Sequence, residues 1–162
     1  MKTYLAVLSL AFATLFLANA RAQVAVAPHA DQEQMLASPD PRLAVNKRLV
    51  YNFWREVFEA GHMDLAEKYM AEGYIQHNPN VPTGRAAFVD FFSRNVAVQP
   101  IEARIKAPLV AILADDDLVV LAFVREGTDP KEPAKKYTTT WFDMFRIENG
   151  KIAEHWDPAT KR

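Results

Sequence analysis

Three side chains that can transfer protons lie close together near the end of the sequence. Asp143, His155 and Asp157 fall within residues 138–157, where apolar and polar side chains alternate as they do in β-strands. A carboxylate can fix the tautomer of a neighbouring imidazole, and burial in an apolar pocket raises the pKa of a carboxylate towards the range of a general base. These residues are the candidate catalytic groups, suited to removing a proton next to a carbonyl group. The alternative is a buried polar set that only satisfies its own hydrogen bonds.

The turn at residues 148–150 decides whether these side chains meet. A two-residue Asn-Gly turn pairs Glu148 with Lys151, whereas a three-residue loop with the glycine as a bulge pairs Ile147 with Lys151. A slip of one residue moves every side chain of a strand to its other face. We favour the three-residue loop, because it sets the first carboxylate directly opposite the imidazole. The face with the candidate groups then comprises Trp141, Asp143, Phe145, Ala153, His155 and Asp157.

The opposite face of this hairpin would be largely apolar, with Phe142, Met144, Ile152 and Trp156. Such a face is too apolar for open solvent. We therefore expect a homodimer that forms through the convex face of the sheet. In the competing arrangement, the apolar face points inward and the candidate catalytic groups lie in solvent.

Further candidate pocket residues lie earlier in the sequence. His77 and Asn78 could hydrogen-bond a substrate carbonyl and stabilise an enolate, although polar residues before a proline also cap turns. Trp54, Phe92 and Trp141 could line an apolar pocket, or they could only pack the core. The histidine and acidic residues do not have the spacing of a metal site on a helix, so we expect no metal.

Three helices and four strands are predicted to position these groups. The first helix begins with Asp40 as its cap and Pro41 in its first position, and it ends at Gly61. The predicted fold class is α+β, with a curled antiparallel sheet packed on three N-terminal helices and a cavity between the layers. The helices are predicted over residues 41–60, 64–72 and 84–96, a short extended segment over 73–80, and the strands over 104–114, 118–126 and the two arms of the hairpin.

The N-terminus predicts export. Residues 1–22 have the layout of a secretory signal peptide, with a basic start, an apolar run from Leu5 to Leu17, and small residues before cleavage at Ala20 or Ala22. The run is too short to span a bilayer comfortably. We expect a periplasmic or secreted protein that has no membrane contact after the signal peptide is cleaved.

The remaining chain has the composition of one small domain. Residues 23–40 have no sustained pattern and are predicted to be a flexible leader, while residues 41–162 form the domain. The formal net charge of −1 gives no reason to expect nucleic acid as a partner. The absence of cysteine excludes disulfides, thiolate nucleophiles and cysteine-based metal centres.

Two segments resemble the SnoaL-like polyketide cyclase family, which belongs to the nuclear transport factor 2-like superfamily. One segment is Tyr-Ile-Gln-His-Asn-Pro at residues 74–79, and the other is Phe-Arg-Ile-Glu-Asn-Gly-Lys-Ile-Ala-Glu-His-Trp-Asp at residues 145–157. The similarity covers about residues 42–157. It implies a cone-shaped α+β barrel with a deep apolar pocket, and an intramolecular aldol condensation without metal or cofactor.

The resemblance also implies roles for single residues. The acid–base aspartate of the family matches Asp157, and its cavity asparagine matches Asn78. Its histidine on the preceding strand falls at Asp143, so here the imidazole would come from His155. Tyr74 and Gln76, from the first of the two segments, join the candidate substrate-binding residues.

We therefore expect an exported enzyme that acts on a small apolar carbonyl compound. It would use acid–base chemistry without a cofactor, as an aldol-type cyclase or an isomerase. The alternative is a non-catalytic periplasmic protein that binds a small molecule in the same cavity, since a fold alone does not decide function. A third possibility, a pure oligomerisation module, requires a cavity that is filled by side chains.

Overall fold

The computed structural model describes residues 23–162 and shows the predicted α+β architecture. The predicted signal peptide, residues 1–22, lies outside the described residues. The helices are α1 Gln32–Leu36, α2 Pro41–Phe53, a π-helical segment Trp54–Glu59, a 3-10 turn Met63–Leu65, α3 Ala66–Tyr69 and α4 Arg85–Asn95. The strands are β1 Met70–Gln76, β2 Leu109–Asp115, β3 Leu118–Thr128, β4 Lys136–Glu148 and β5 Lys151–Trp156. Within residues 23–162, no helix is long and apolar enough to cross a bilayer.

The sheet has five strands in the order β1-β5-β4-β3-β2, one more than the sequence predicted. The extra strand is β1, which pairs in parallel with β5, while the other pairs are antiparallel. It begins at Met70, so the second predicted helix is three residues too long at its end. Parallel pairing joins segments that are far apart in sequence, and local patterns do not reveal it.

Helix α2 begins as its sequence predicts. The Asp40 carboxylate accepts a hydrogen bond from the backbone N–H of Arg42 at 2.8 Å, and Pro41 occupies the first turn. The helix continues directly into the π-helical segment, and Gly61 ends it with a φ of 74°. The wider π-helical turn is common beside functional sites, and here it carries Trp54.

Part of the predicted flexible leader is packed on the domain. Residues 32–36 form helix α1, and Leu36 is buried. The side-chain amide of Gln32 donates to the carbonyl oxygen of Ile105 at 2.9 Å and accepts from the hydroxyl of Tyr51 at 2.7 Å. The prediction of an unstructured leader is therefore wrong for residues 32–36. The contact depends on one side chain, the buried amide of Gln32, which bonds to the backbone where a strand would otherwise pair. A contact of this kind leaves no periodic pattern in the sequence.

The turn between β4 and β5 is the two-residue Asn-Gly turn, so the predicted three-residue loop is wrong. Glu148 pairs with Lys151, and Asn149 and Gly150 have φ values of 51° and 70°. Positive φ at both central positions matches the right-handed twist of the two strands. Asparagine and glycine tolerate that conformation better than other residues do.

A β-bulge at Ala153 nevertheless returns the later side chains of β5 to the faces of the sheet that the sequence predicted for them. Ile147 pairs with Ile152, but the next pair joins Arg146 to Glu154, so Ala153 is an extra residue in β5. Because the bulge adds a second one-residue shift, His155 returns to the concave face of the sheet. Ile152 also faces inward and is fully buried, which corrects its predicted place on the outer face.

Candidate active site

A cavity of about 290 Å³ lies between the helices and the concave face of the sheet. This volume is at the lower end of the roughly 300–1,000 Å³ that ligand pockets usually enclose. The cavity fits a small molecule better than a compound of several fused rings. Most of its wall is aromatic, with Trp54, Phe58, Tyr74, Phe88, Phe92 and Trp141 among the lining residues. An open cavity argues against a pure oligomerisation module.

His155 stands at the polar wall of this cavity and is held at both ring nitrogens. Nε2 lies 3.0 Å from Oδ1 of Asp143, and Nδ1 lies 2.8 Å from Oε1 of Gln76. Oε1 already accepts a hydrogen bond from the backbone N–H of Asn78 at 2.9 Å, so it is an acceptor. Nδ1 of His155 therefore carries a proton, and its tautomer is fixed.

The remaining contact, between Nε2 of His155 and Asp143, needs one further proton. That proton belongs either to an imidazolium beside a carboxylate or to a neutral imidazole beside a carboxylic acid. Both arrangements give the Asp143–His155 pair no net charge. The neutrality suits its position, since both side chains are buried and a buried net charge is costly.

Burial raises the pKa of the Asp143 carboxyl group above its ordinary value. The hydrogen bond from His155 and its charge oppose this shift, and the nearby charge of Asp157 adds to it. Oδ2 of Asp143 is buried and has no hydrogen-bond partner among residues 23–162. An unpartnered buried oxygen is less costly in a neutral acid than in a carboxylate. The geometry thus favours a protonated Asp143 that donates to Nε2.

Asp157 is anchored at both of its carboxylate oxygens. Oδ2 accepts a hydrogen bond from Nδ2 of Asn78 at 2.7 Å, and Oδ1 accepts one from the backbone N–H of Ala159 at 2.8 Å. Unlike Asp143, the Asp157 side chain is only partly buried. It therefore presents an oriented carboxylate to the cavity that it lines.

The sequence profile of the SnoaL-like domain family matches residues 50–155, which include helices α3 and α4, strands β1 to β4, nearly all of β5, and Asp143 and His155 of the polar wall. The chain belongs to the SnoaL-like family. No curated protein matches it at a significant level.

Solved structures share the fold of this SnoaL-like domain at low sequence identity. A proposed SnoaL-like polyketide cyclase from Jannaschia sp. CCS1 is 16% identical, with a TM-score of 0.51 over 75% of this chain and 91% of that chain. A proposed polyketide cyclase from Acidithiobacillus ferrooxidans is 21% identical, with a TM-score of 0.49 over 70% and 86% of the two chains. An LEH-like epoxide hydrolase from M. tuberculosis is 14% identical, with a TM-score of 0.48 over 70% and 80%. At these identities the likeness concerns the fold.

The cavity of the SnoaL-like domain gathers nearly all the residues predicted from the sequence. Tyr74 and Gln76 meet at its wall, where Nε2 of Gln76 donates to the Tyr74 hydroxyl at 2.9 Å. Burial raises the pKa of Tyr74 well above its ordinary value, and the charges of Asp157 and Asp143 add to this effect. Tyr74 therefore keeps its proton and does not serve as a base. The predicted residues that line the cavity are Trp54, Tyr74, Gln76, Asn78, Phe92, Trp141, Asp143, His155 and Asp157.

His77 is the exception, and its predicted place in the pocket is wrong. Its ring stacks on Trp156 on the convex side of the sheet, with ring centroids 4.9 Å apart, and its Nε2 lies 2.7 Å from Oε1 of Glu154. Its backbone N–H donates to the carbonyl oxygen of His155 at 3.0 Å, which extends the pairing of β1 with β5. Side chains alternate along an extended segment, so Gln76 faces the cavity and His77 faces away.

Residues 158–162 form a strap at the cavity mouth that the sequence did not reveal. Ala159 and Arg162 line the cavity. Asn80 holds the strap twice, since its Nδ2 donates to the carbonyl oxygen of Thr160 and its Oδ1 accepts from the backbone N–H of Arg162, both at 2.9 Å. The strap has no regular secondary structure, so periodicity could not have found it.

The polar wall also offers ligand atoms to a cation. Asp143, His155 and Asp157 each offer one ligand atom, and these three atoms lie within 4.8 Å of one another. Imidazole and carboxylate ligands suit several divalent metals. The expectation that the site works without metal stays a prediction.

Proposed function

We propose that this chain is an exported SnoaL-like enzyme that performs acid–base chemistry without a cofactor on a small apolar carbonyl compound. The reaction would be an aldol-type cyclisation or an isomerisation. One observation carries the proposal: the oriented carboxylate of Asp157 stands in an aromatic cavity within 4.8 Å of the hydrogen-bonded Asp143–His155 pair. An exported location is supported by the signal-peptide pattern of residues 1–22.

In the proposed reaction, Asp157 is the base. It takes a proton from the carbon next to the carbonyl group, and the C–H electron pair moves to the carbonyl oxygen to give an enolate. In an isomerisation, protonated Asp157 returns the proton to another carbon of the conjugated system. In a cyclisation, the enolate carbon attacks a second carbonyl carbon of the same molecule, and the new alkoxide takes the proton.

The neutral Asp143–His155 pair would assist in two ways. Because it has no net charge, it adds no repulsion to the negative charge that develops on the substrate. Its hydrogen bonds also hold the polar wall rigid, since one proton is donated to Oε1 of Gln76 and the other lies between Asp143 and His155. Asn78 is a positioning residue here, because its side-chain amide already donates to Asp157.

A non-catalytic binding protein is the second candidate, and one observation favours it. Both oxygens of Asp157 accept hydrogen bonds from the protein itself, as a structural carboxylate does. In this alternative, the aromatic cavity captures a small apolar molecule and the polar wall only orients it.

Exchange of substrate protons separates the two candidates. Native mass spectrometry of protein purified from its host would first identify a bound compound. That compound, or a panel of small aryl and cyclic ketones, is then incubated with the protein in deuterated water, and nuclear magnetic resonance measures deuterium uptake next to the carbonyl group. An enzyme should accelerate uptake, and Asp157→Asn should lower the acceleration by about 100-fold or more. Equal uptake with the wild type and the variant, while the compound remains bound, would favour the binding protein.

A further inference from the structure

Two arginines at the cavity mouth lack the carboxylate partners that most arginines of this chain have. Of the nine arginines within residues 23–162, six lie within 4.0 Å of an aspartate or glutamate oxygen. Arg125 and Arg162 have no such contact in that part of the chain, and neither has Arg104, which donates to the carbonyl oxygen of Ala30 far from the cavity. Residues 23–162 carry more acidic than basic residues, so two unpaired cations at one opening need a separate explanation.

Arg125 belongs to the cavity side of the sheet. It pairs with Thr139, two residues from the pair that joins Phe123 to Trp141, so alternation places it on the same concave face. Its guanidinium carbon lies 4.3 Å from the centre of the Trp141 ring, and Trp141 lines the cavity. Glu126, the next residue, lines the same groove as Arg125, although no salt bridge joins the two side chains in the described part of the chain. The guanidinium is thus held by stacking, which leaves its N–H groups free for an anion.

Arg162 reaches the same opening from the strap. Its backbone N–H donates to Oδ1 of Asn80, and the residue lines the cavity. A groove next to the cavity contains Arg125, Trp141 and Pro158 together, so the stacked guanidinium and the start of the strap share one rim. The rim, which comprises this groove and the strap, therefore carries two arginines, while the cavity wall carries Asp143, His155 and Asp157.

We propose that the ligand of this cavity carries an anionic group, such as a carboxylate, that is bound at the rim by Arg125 and Arg162. The inference rests on the proposed function, which places the carbonyl group, at the opposite end of the ligand, next to Asp157. Guanidinium groups bind carboxylates through two parallel N–H···O bonds. Inside the cavity the Asp157 carboxylate would repel the anion, so the charges admit the ligand in one orientation only.

The strand geometry gives the expected spacing of the two groups on the ligand. Asp143, which has an oxygen within 4.8 Å of an oxygen of Asp157, is two residues from Trp141 on β4, which corresponds to about 7 Å along a strand. The guanidinium of Arg125 lies over Trp141. The ligand should therefore be an apolar body with a carbonyl group and an anion that are separated by roughly 7 Å, the length of a short saturated chain.

Calorimetry with three matched probes tests the inference. The probes are phenyl ketones whose saturated tail ends in a carboxylate, a primary amide or a methyl ester. Wild-type protein should bind the carboxylate about tenfold more tightly than the amide or the ester. Arg125→Gln and Arg162→Gln should each weaken binding of the carboxylate about three- to tenfold and leave binding of the amide unchanged.

Two control variants and one catalytic variant complete the test. Lys161→Gln removes a charge from the same strap, and Arg104→Gln removes an unpaired arginine elsewhere; both should bind the carboxylate as the wild type does. The inference is overturned by equal binding of the three probes, by an equal effect of Lys161→Gln, or by no measurable binding of the carboxylate. Asp157→Asn should lose deuterium exchange but keep the preference for the carboxylate. If the wild type prefers the carboxylate but does not accelerate deuterium exchange, the proposed function has failed. If it accelerates exchange but does not prefer the carboxylate, the inference of an anion-binding rim has failed.

Discussion

Phe145 lies directly opposite His155 in the β4–β5 hairpin, two positions away from the pairing that the favoured loop would give. The difference of two arises from the tight turn and the bulge at Ala153, each of which shifts the register by one residue. Because the side-chain period of a strand is two, the combined shift returns the same side chains to the same face. The polar wall therefore depends on two independent local features of one hairpin.

The turn should depend strongly on Gly150. Its φ of 70° is unfavourable for a residue with a Cβ atom, so Gly150→Ala should lower the free energy of unfolding by about 1 kcal/mol. Gly73→Ala is the control, because an added Cβ there meets no atom within 4 Å and the φ is not positive. Urea denaturation measures both. Equal effects of the two substitutions would argue against the tight turn.

Gln76 should control the tautomer of His155. In the wild type, nitrogen chemical shifts of the imidazole should report a proton on Nδ1, because Oε1 of Gln76 accepts it. Gln76→Leu removes that acceptor and should lower the free energy of unfolding by about 1–3 kcal/mol. Gln76→Glu keeps an acceptor oxygen and should preserve the proton on Nδ1. A wild-type ring with an unprotonated Nδ1 would contradict the hydrogen-bond network.

As the pH rises, the wild type should lose stability relative to the Asp143→Asn variant. Burial raises the pKa of the Asp143 carboxyl group in the folded protein above the ordinary value of 3.8 that applies in the unfolded chain. The folded state then binds more protons than the unfolded state, so the stability from this group is present below the unfolded pKa and is lost as the pH rises through the folded pKa. Urea denaturation at several pH values from 4 upward measures the difference. A constant difference between the two proteins would show that the carboxyl group is not perturbed.

The convex face of the sheet should bind a second copy of the chain. It exposes Phe142, which is 50% accessible, beside Trp156 and Met144. Trp156→Glu should convert a dimer into a folded monomer, which light scattering and circular dichroism measure. Val45→Glu is the control, because Val45 is 66% exposed on helix α2 and lies away from this face. A monomeric wild type, or an unfolded Trp156→Glu variant, would contradict the expectation.

The fold class and most of the polar wall were predictable, because they depend on alternation along single strands. A register that differs from the predicted one by two residues leaves Asp143, His155 and Asp157 on the same face. The wrong prediction of the turn therefore did not change the predicted polar wall. The bulge itself was not predictable, since nothing distinguishes Ala153 from an ordinary strand residue. The prediction for Ile152 was wrong because this residue lies between the turn and the bulge, where only the first of the two shifts applies.

Features that depend on distant parts of the chain escaped the sequence analysis. His77 and Asn78 were both predicted in the pocket because either side chain could hydrogen-bond a substrate carbonyl, but only the parallel pairing of β1 with β5 shows which of the two faces inward. Likewise, Gln32 and Asn80 act through single side chains that contact segments more than 70 residues away. Such contacts leave no local periodicity.

The parallel pairing of β1 with β5 has a further consequence for the order of folding. The hydrogen bond between Gln76 and His155 spans 79 residues, and that between Asn78 and Asp157 also spans 79. Contacts of such long range form late, because closing a long loop costs entropy before the contact is made. A growing chain that has not reached residue 155 has the aromatic helices but neither the imidazole nor the oriented carboxylate. The proposed proton-transfer activity should therefore require the complete fold, because its imidazole and its carboxylate are positioned only after strand β5 has paired with β1.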